Sequence, residues 1–380
     1  MKKALSIFAF AMLLASCSPK KEVKLIDAAN FNKEIEGKKV SLYTLKNGFL
    51  TMQVTNYGGR LVALWVPDRR GSYEDVVLGY DHIDKYLNNS GERYLGAIVG
   101  RCANYISNGA FKLDSVAFQL AKNEGEHTFH GGLVGADKIV WDVVLANDSV
   151  IQMHALFADG LDGFPGNLDV TVSYTLTHDN TLQIRYKANT DAPTLCNFTN
   201  SSYFNLKGEG RGNILDHELQ INARYMTTLN EQGLPNGKYS GVKSTPFDFR
   251  EKHLIGESID KQDEQLTCVK GYNHTWIVDK NGPKAYSWCA TLVEPKSGRL
   301  MEVWTDQVGI LFNSGNAFDG KGVGKSGKPM NKREGLALEP QFFPDAINHE
   351  SLAPYPILNP GEEYSQLSIY KFSVQPKEKK

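Results

Sequence analysis

Between residues 168 and 186 the chain alternates with a period of two. Leu168, Val170, Val172, Tyr174 and Leu176 share one face of an extended segment, His178-Asp179-Asn180 makes a polar turn, and Leu182, Ile184 and Tyr186 resume the pattern. Successive side chains on a strand point to opposite faces, so this segment buries its apolar set only as an antiparallel hairpin with one covered face. The pattern recurs at LTMQVTNYGG (50–59), RLVALWVPD (60–68), SVIQMHALFAD (149–159) and HELQINARYM (217–226). It recurs again in the pair YSWCATLVEPKSGRLMEVWT (286–305), which turns at Pro295-Lys296-Ser297-Gly298. Helical periodicity is confined to short pieces such as DHIDKYLN (81–88). Many strands, Gly-rich turns and almost no helix predict an all-β chain folded as a large antiparallel β-sandwich. The Gly- and Lys-rich FDGKGVGKSGKP (318–329) reads as a flexible surface loop between strands.

The N-terminus follows a different grammar. MKK precedes an apolar run from Ala4 to Ala15, which is shorter than the ~20 residues a permanent spanning helix needs. This predicts a signal peptide over residues 1–16. Leu14-Ala15-Ser16-Cys17 also resembles the bacterial lipobox, in which the leader is cut before the cysteine and the thiol is acylated. The plainer alternative is a cleaved signal with an incidental cysteine. On the lipobox reading Cys17 carries a lipid anchor, residues 17–35 are a tether, and residues 36–376 form a single sandwich domain. The protein would then sit in the bacterial cell envelope, periplasmic or outer-membrane associated, held to the membrane by that lipid.

Composition narrows the partners. Of 380 residues 22% are charged, with a net charge of -1 and no block of Lys and Arg, so the electrostatic footprint of a nucleic-acid binder is missing. A neutral small molecule fits better. Cys102, Cys196, Cys268 and Cys289 form no CxxC pair, which argues against a zinc ribbon and leaves disulfide or free thiol open.

Ten stretches in chain order resemble the galactose mutarotase, or aldose 1-epimerase, family: NYGGRLVAL, DVVLGYD, GAIVGRCAN, HTFHGG, DGFPGNLDVTVSYTL, TNSSYFNL, GYNHT, SGNAFDG, LEPQFFPDAIN and LNPGEEY. The resemblance implies a β-sandwich with a sugar site in an open cleft, an aldose as the small-molecule partner, and no metal or organic cofactor. Epimerisation at C1 needs a base to take the proton of the anomeric hydroxyl and an acid to protonate the ring oxygen. The ring then opens, C1–C2 rotates, and reclosure gives the other anomer.

Carried over residue by residue, the resemblance makes Glu339 the base and His130 one of two site histidines. Two glycines after His130 would let the backbone approach a ligand. The second histidine, the family's general acid, is replaced here by Ser201. The family's Ala-Asn-Arg is Ala103-Asn104-Tyr105, and its Asp before the histidine of the Gly-aromatic-Asp-His motif is Asn273. Asn104, Tyr105, Ser201, Tyr203 and Asn273 are therefore expected to bind sugar hydroxyls, with Glu339 as base and His130 as the surviving acid candidate. Serine is far too weak an acid to substitute for imidazolium, so a sugar-binding lipoprotein with lost or weak catalysis is the alternative. A glycoside hydrolase would need a second site carboxylate, for which the resemblance offers none.

Overall fold

The structure, a computed structural model, describes residues 21–88 and 91–376. The expected signal peptide, Cys17 and the first residues of the tether lie outside the described residues.

The hairpin that opened the sequence analysis forms as expected. Strands Leu168–Leu176 and Thr181–Thr190 pair antiparallel with Leu168 opposite Thr190 and Leu176 opposite Leu182. They lie inside a nine-stranded sheet ordered Asp142–Ala146, Val150–Phe157, Leu168–Leu176, Thr181–Thr190, Tyr364–Val374, Arg299–Thr305, Ser287–Val293, Glu218–Ile221, His253–Leu254. A six-stranded sheet runs Tyr203–Phe204, Leu336–Gln341, Gly309–Asn313, Asn273–Ile277, Tyr225–Leu229, Pro235–Gly241. Strands Leu42–Lys46, Thr51–Thr55, Arg60–Pro67 and Tyr73–Asp75 make a four-stranded sheet. One apolar core takes residues from all three, among them Val172 and Tyr186, Leu338 and Phe312, and Val54 and Leu64. This is an all-β sandwich.

HELQINARYM differs from the reading as one strand. It breaks into Glu218–Ile221 in the nine-stranded sheet and Tyr225–Leu229 in the six-stranded sheet. At the break, Asn222 Nδ2 donates to the carbonyls of Asp279 and Trp288, so a polar side chain supplies the pairing that the interrupted ladder cannot. Arg60–Pro67 is buried at every position, because a second apolar cluster that includes Phe31, Val40 and Leu78 covers the outer face of its sheet. Phe31 is fully buried and ends the short helix Ala28–Phe31, capped by Asp27. The folded body thus reaches back into the segment expected to be tether, and the boundary at residue 36 moves toward the N-terminus.

The segment 318–329 is not a free loop. Strands Asp319–Val323 and Pro329–Asn331 form a hairpin, and its turn is pinned from both sides. Lys325 Nζ pairs with Asp75 at 2.7 Å and donates to the carbonyl of Val77, while Ser326 N donates to Glu209 Oε2. Lysine in a glycine-rich stretch usually marks a solvated loop, but here the ammonium is buried in ion-pair contact. The four described cysteines are free, and Cys102, Cys196 and Cys289 are buried, so the disulfide alternative falls away.

Candidate active site

Strand Leu336–Gln341 lies between Tyr203–Phe204 and Gly309–Asn313, and its two faces have different tasks. Leu336 and Leu338 point into the core. Ala337 and Glu339 take the opposite face by the alternation of a strand. The nine-stranded sheet grips this strand from behind: Tyr370 Oη donates to the carbonyl of Leu338 and Gln366 Nε2 to that of Pro340. Each such bond contributes about 1 kcal/mol, and together they fix the register from which Glu339 projects.

In front of the strand is a cleft of about 360 Å³. Its floor is a cross-strand row. Tyr203 is opposite Ala337, Leu311 is opposite Glu339, and Asn273 is opposite Asn313, whose Nδ2 donates to Tyr203 Oη at 3.1 Å. Asn104, Tyr105, Phe129 and His130 make one wall, and strands Tyr105–Ile106 and Thr128–Phe129 hold them together by pairing Tyr105 with Phe129. Glu92, Arg93 and Tyr94 make another wall, with Glu124 and Asp319 at the exposed rim. A larger groove of about 910 Å³, lined by Asn108, Phe111, Phe118 and His349 among others, holds none of the residues expected to act on a sugar.

Glu339 is 2% exposed. Burial raises its carboxyl to about 8, a hydrogen bond from Ser201 opposes this, and the nearby charge of Glu92 adds to it. The Ser201 hydroxyl also bonds Tyr203, and its one hydrogen serves one of these partners at a time. The backbone of Ser201 is tied on both sides: its N–H donates to Ala97 O and its carbonyl accepts from Gly96 N. Apart from Ser201 and Tyr203, TNSSYFNL is scaffold. Asn200 Nδ2 donates to Gly96 O, and Asn205 Nδ2 bridges to the carbonyls of Gly212 and Glu334.

His130 reaches the cleft with a left-handed backbone, φ 52°. Its Nδ1 accepts from Asn104 N at 3.0 Å, which puts the ring proton on Nε2. The ring is 4.6 Å from that of Tyr94, and burial, with the charge of Arg93 second, lowers the imidazole to about 3. His130 is therefore neutral near pH 7. What it offers is an Nε2–H hydrogen bond to a sugar oxygen, not the imidazolium proton expected of the surviving acid.

The two glycines that follow serve packing, not ligand approach. A Cβ on Gly131 would stand 2.0 Å from Gly100 O, and one on Gly132 2.7 Å from the Asp162 carboxyl carbon. His127 lies outside the cleft, its Nδ1 accepting from Asn108 N. His274 is buried on the far side of its strand, against the Phe247 ring.

All seven residues expected around the sugar, Asn104, Tyr105, His130, Ser201, Tyr203, Asn273 and Glu339, line this one cleft. Sequence reasoning misses Glu92, Tyr94, Asn313 and Asp319. Glu92 stands only four residues before the quoted GAIVGRCAN, and Asn313 directly before SGNAFDG. Among the described residues no group of three His, Cys, Asp or Glu side chains is placed to hold a metal ion.

Comparison with known proteins decides the relationship. The aldose 1-epimerase family profile matches residues 41–371. The chain belongs to the aldose 1-epimerase family. It is 39% identical over 336 residues to galactose mutarotase of Bos taurus, covering 88% of this chain and 94% of that one. It is 35% identical over 346 residues to aldose 1-epimerase of Escherichia coli (strain K12), covering 90% and 97%. Among solved structures, an aldose epimerase homologue from C. elegans superposes with a TM-score of 0.81 at 29% identity, covering 89% of this chain and 100% of that one. A galactose 1-epimerase from Lactobacillus acidophilus follows at 0.78 and 28%, covering 90% and 97%. Membership this extensive makes the protein an isomerase of aldose anomers.

Proposed function

We propose that the cleft opens and recloses the ring of neutral aldoses, with Glu339 as the base that takes the proton of the anomeric hydroxyl. The observation that carries this is a buried carboxyl held near the working pH, at about 8, on a strand fixed from behind and facing a sugar-sized space. A base whose affinity for the proton is close to ambient pH transfers it with little penalty in either direction. Asn104, Tyr105, Tyr203 and Asn273 supply amide and phenol groups suited to sugar hydroxyls, and the neutral His130 adds an Nε2–H donor. Among the described lining residues, the carboxyls Glu92, Glu124, Asp319 and Glu339 face a single cation, Arg93, already clamped by Asp137 through two 2.8 Å bonds. Such a cleft repels acidic sugars and suits neutral ones.

The test is NMR exchange spectroscopy between α and β anomers of an aldose panel, with the protein at catalytic concentration. Galactose belongs first in the panel because relatives carry its name. Exchange above the buffer rate is expected for at least one neutral aldose. Ser201 favours one competing reading, a sugar-binding protein, and binding with exchange at the buffer rate would establish that instead.

The N-terminal pattern supports an envelope location through a lipid on Cys17. Cys17→Ala is expected to release the folded protein from the membrane fraction or stall its maturation, read by fractionation and intact mass. A variant that fractionates and matures like the wild type removes the anchor.

A further inference from the structure

The proton for the ring oxygen has no donor at the expected positions. Ser201 is an alcohol. His130 is neutral, and a neutral imidazole gives up its remaining proton far less readily than an imidazolium does. The phenols of the cleft are pushed up by burial, Tyr105 to about 12 and Tyr203 well above its usual value. At the rim, Asp319 is exposed, and its pairing with Lys321 at 2.6 Å holds its carboxyl below the usual range.

Glu92 is different in every respect. It stands in the segment between helix Ile83–Leu87 and strand Ile98–Val99, on the wall of the cleft whose floor carries Glu339. It is half-buried, and its Oε1 accepts from Tyr94 N at 3.0 Å, a bond a protonated carboxyl can still accept although an ionised one accepts it more strongly. Its charge is felt by Glu339 and by Tyr203, so the two carboxyls share one electrostatic neighbourhood.

We propose that Glu92 is the general acid of this site, protonating the ring oxygen while Glu339 deprotonates the anomeric hydroxyl. The inference rests on the epimerase reading above. In the opening step, the Glu339 carboxylate takes the proton from O1, the O1–C1 bond becomes a carbonyl, the C1–O5 bond breaks, and O5 takes the proton of Glu92. Rotation about C1–C2 presents the other face of the aldehyde. In the closing step O5 attacks C1, its proton returns to Glu92, and O1 recovers its proton from Glu339. Two protons have moved out and back, one on each carboxyl, and none is lost.

Two carboxyls that line one partly desolvated cleft disfavour ionising together, and the reaction needs one of them ionised and the other protonated. Burial raises Glu92, opposed by the Tyr94 N–H and Arg60 and assisted by Asp137 and Glu124. Around Glu339 stand the Ser201 hydroxyl, the Gln341 amide and the phenols of Tyr186 and Tyr370. A sugar whose O1–H donates to Glu339 favours its ionised form, and that negative charge in turn favours the proton on Glu92.

The decisive variant is Glu92→Gln, which keeps an oxygen acceptor for Tyr94 N and takes away the titratable proton. Anomer exchange is expected to fall by roughly 10²-fold or more, the usual worth of a positioned acid, with sugar affinity by saturation-transfer NMR changed by much less. The wild type should show a bell-shaped pH profile of kcat/KM, because activity needs one proton on the pair. In Glu92→Gln the alkaline limb should vanish, leaving a residual rate that rises with pH to a plateau as Glu339 ionises. Glu92→Asp should recover part of the rate and the alkaline limb. A fast wild type with an equally fast Glu92→Gln removes this proposal and leaves the epimerase reading standing. The same holds for a Glu92→Gln that loses affinity in proportion to rate and keeps the bell. A wild type that exchanges no anomers removes the epimerase reading and this proposal with it.

Discussion

Glu339→Gln is expected to lower catalysed anomer exchange by roughly 10²–10⁴-fold, the range for a positioned acid or base, while sugar binding survives. The substitution is close to isosteric, and the amide oxygen accepts the Ser201 hydroxyl as the carboxylate does. Its stability signature should run opposite to its kinetic one. The folded carboxyl is raised to about 8, whereas an unfolded Glu titrates near 4.3. Between those values the unfolded chain holds fewer protons than the folded one, so wild-type stability falls as pH rises through that window, at up to ~1.4 kcal/mol per pH unit from this group. The amide does not titrate, so the variant has no such loss. Denaturant melts at several pH values should therefore show the variant gaining on the wild type from about pH 4.5 toward pH 8. Undiminished exchange in the variant would show that another base acts. An unchanged stability difference across the window would show that Glu339 is not desolvated as the fold places it.

The second large effect is a rescue. In the Glu92→Gln background, Ser201→His is expected to raise exchange by up to ~10²-fold, because it places an imidazole beside the buried carboxylate. Next to Glu339 the imidazolium is favoured and the carboxyl is lowered, each by the other's charge. The alkaline limb lost in the single variant should then reappear with the midpoint of an imidazolium. NMR exchange rates across pH for the four combinations of these two sites check it. No recovery in a folded, sugar-binding double variant would mean that position 201 does not reach the ring oxygen here, and that Tyr105 and Asn273 have turned the sugar in the cleft.

Legibility differs with distance along the chain. The hairpin 168–190 is readable because period two is a local property, and burial of Val170, Val172 and Tyr174 follows from it directly. Lys325 is misread because its partner Asp75 lies far back in the chain, and composition around a lysine says nothing about a carboxylate that folding brings to it. The cleft residues carried by motifs are found, and each motif mixes site with scaffold: in TNSSYFNL only Ser201 and Tyr203 face the cleft. Glu92 escapes because nothing in GERYLGA marks a glutamate as inward-facing. Its environment is made by Arg60, Asp137 and Glu124 from other parts of the chain. The protonation state of His130 is likewise illegible, since it depends on the Asn104 N–H and on burial against the Tyr94 ring.

The bonds from Tyr370 and Gln366 to the carbonyls of Leu338 and Pro340 separate two kinds of inheritance. The side chains that hold the base strand belong to the sheet at its back, whereas those that meet the sugar project from the front of its own sheet, as Tyr203 and Asn273 do, and from the wall segments, as Asn104 and Tyr105 do. Side chains at positions such as Tyr105, Ser201 and Asn273 can therefore change without disturbing the placement of Glu339. The fold makes substrate choice and proton handling free to drift while the base stays where it was, so new specificities on this scaffold should arise from the wall segments and the cleft-facing ends of neighbouring strands and leave strand Leu336–Gln341 unaltered.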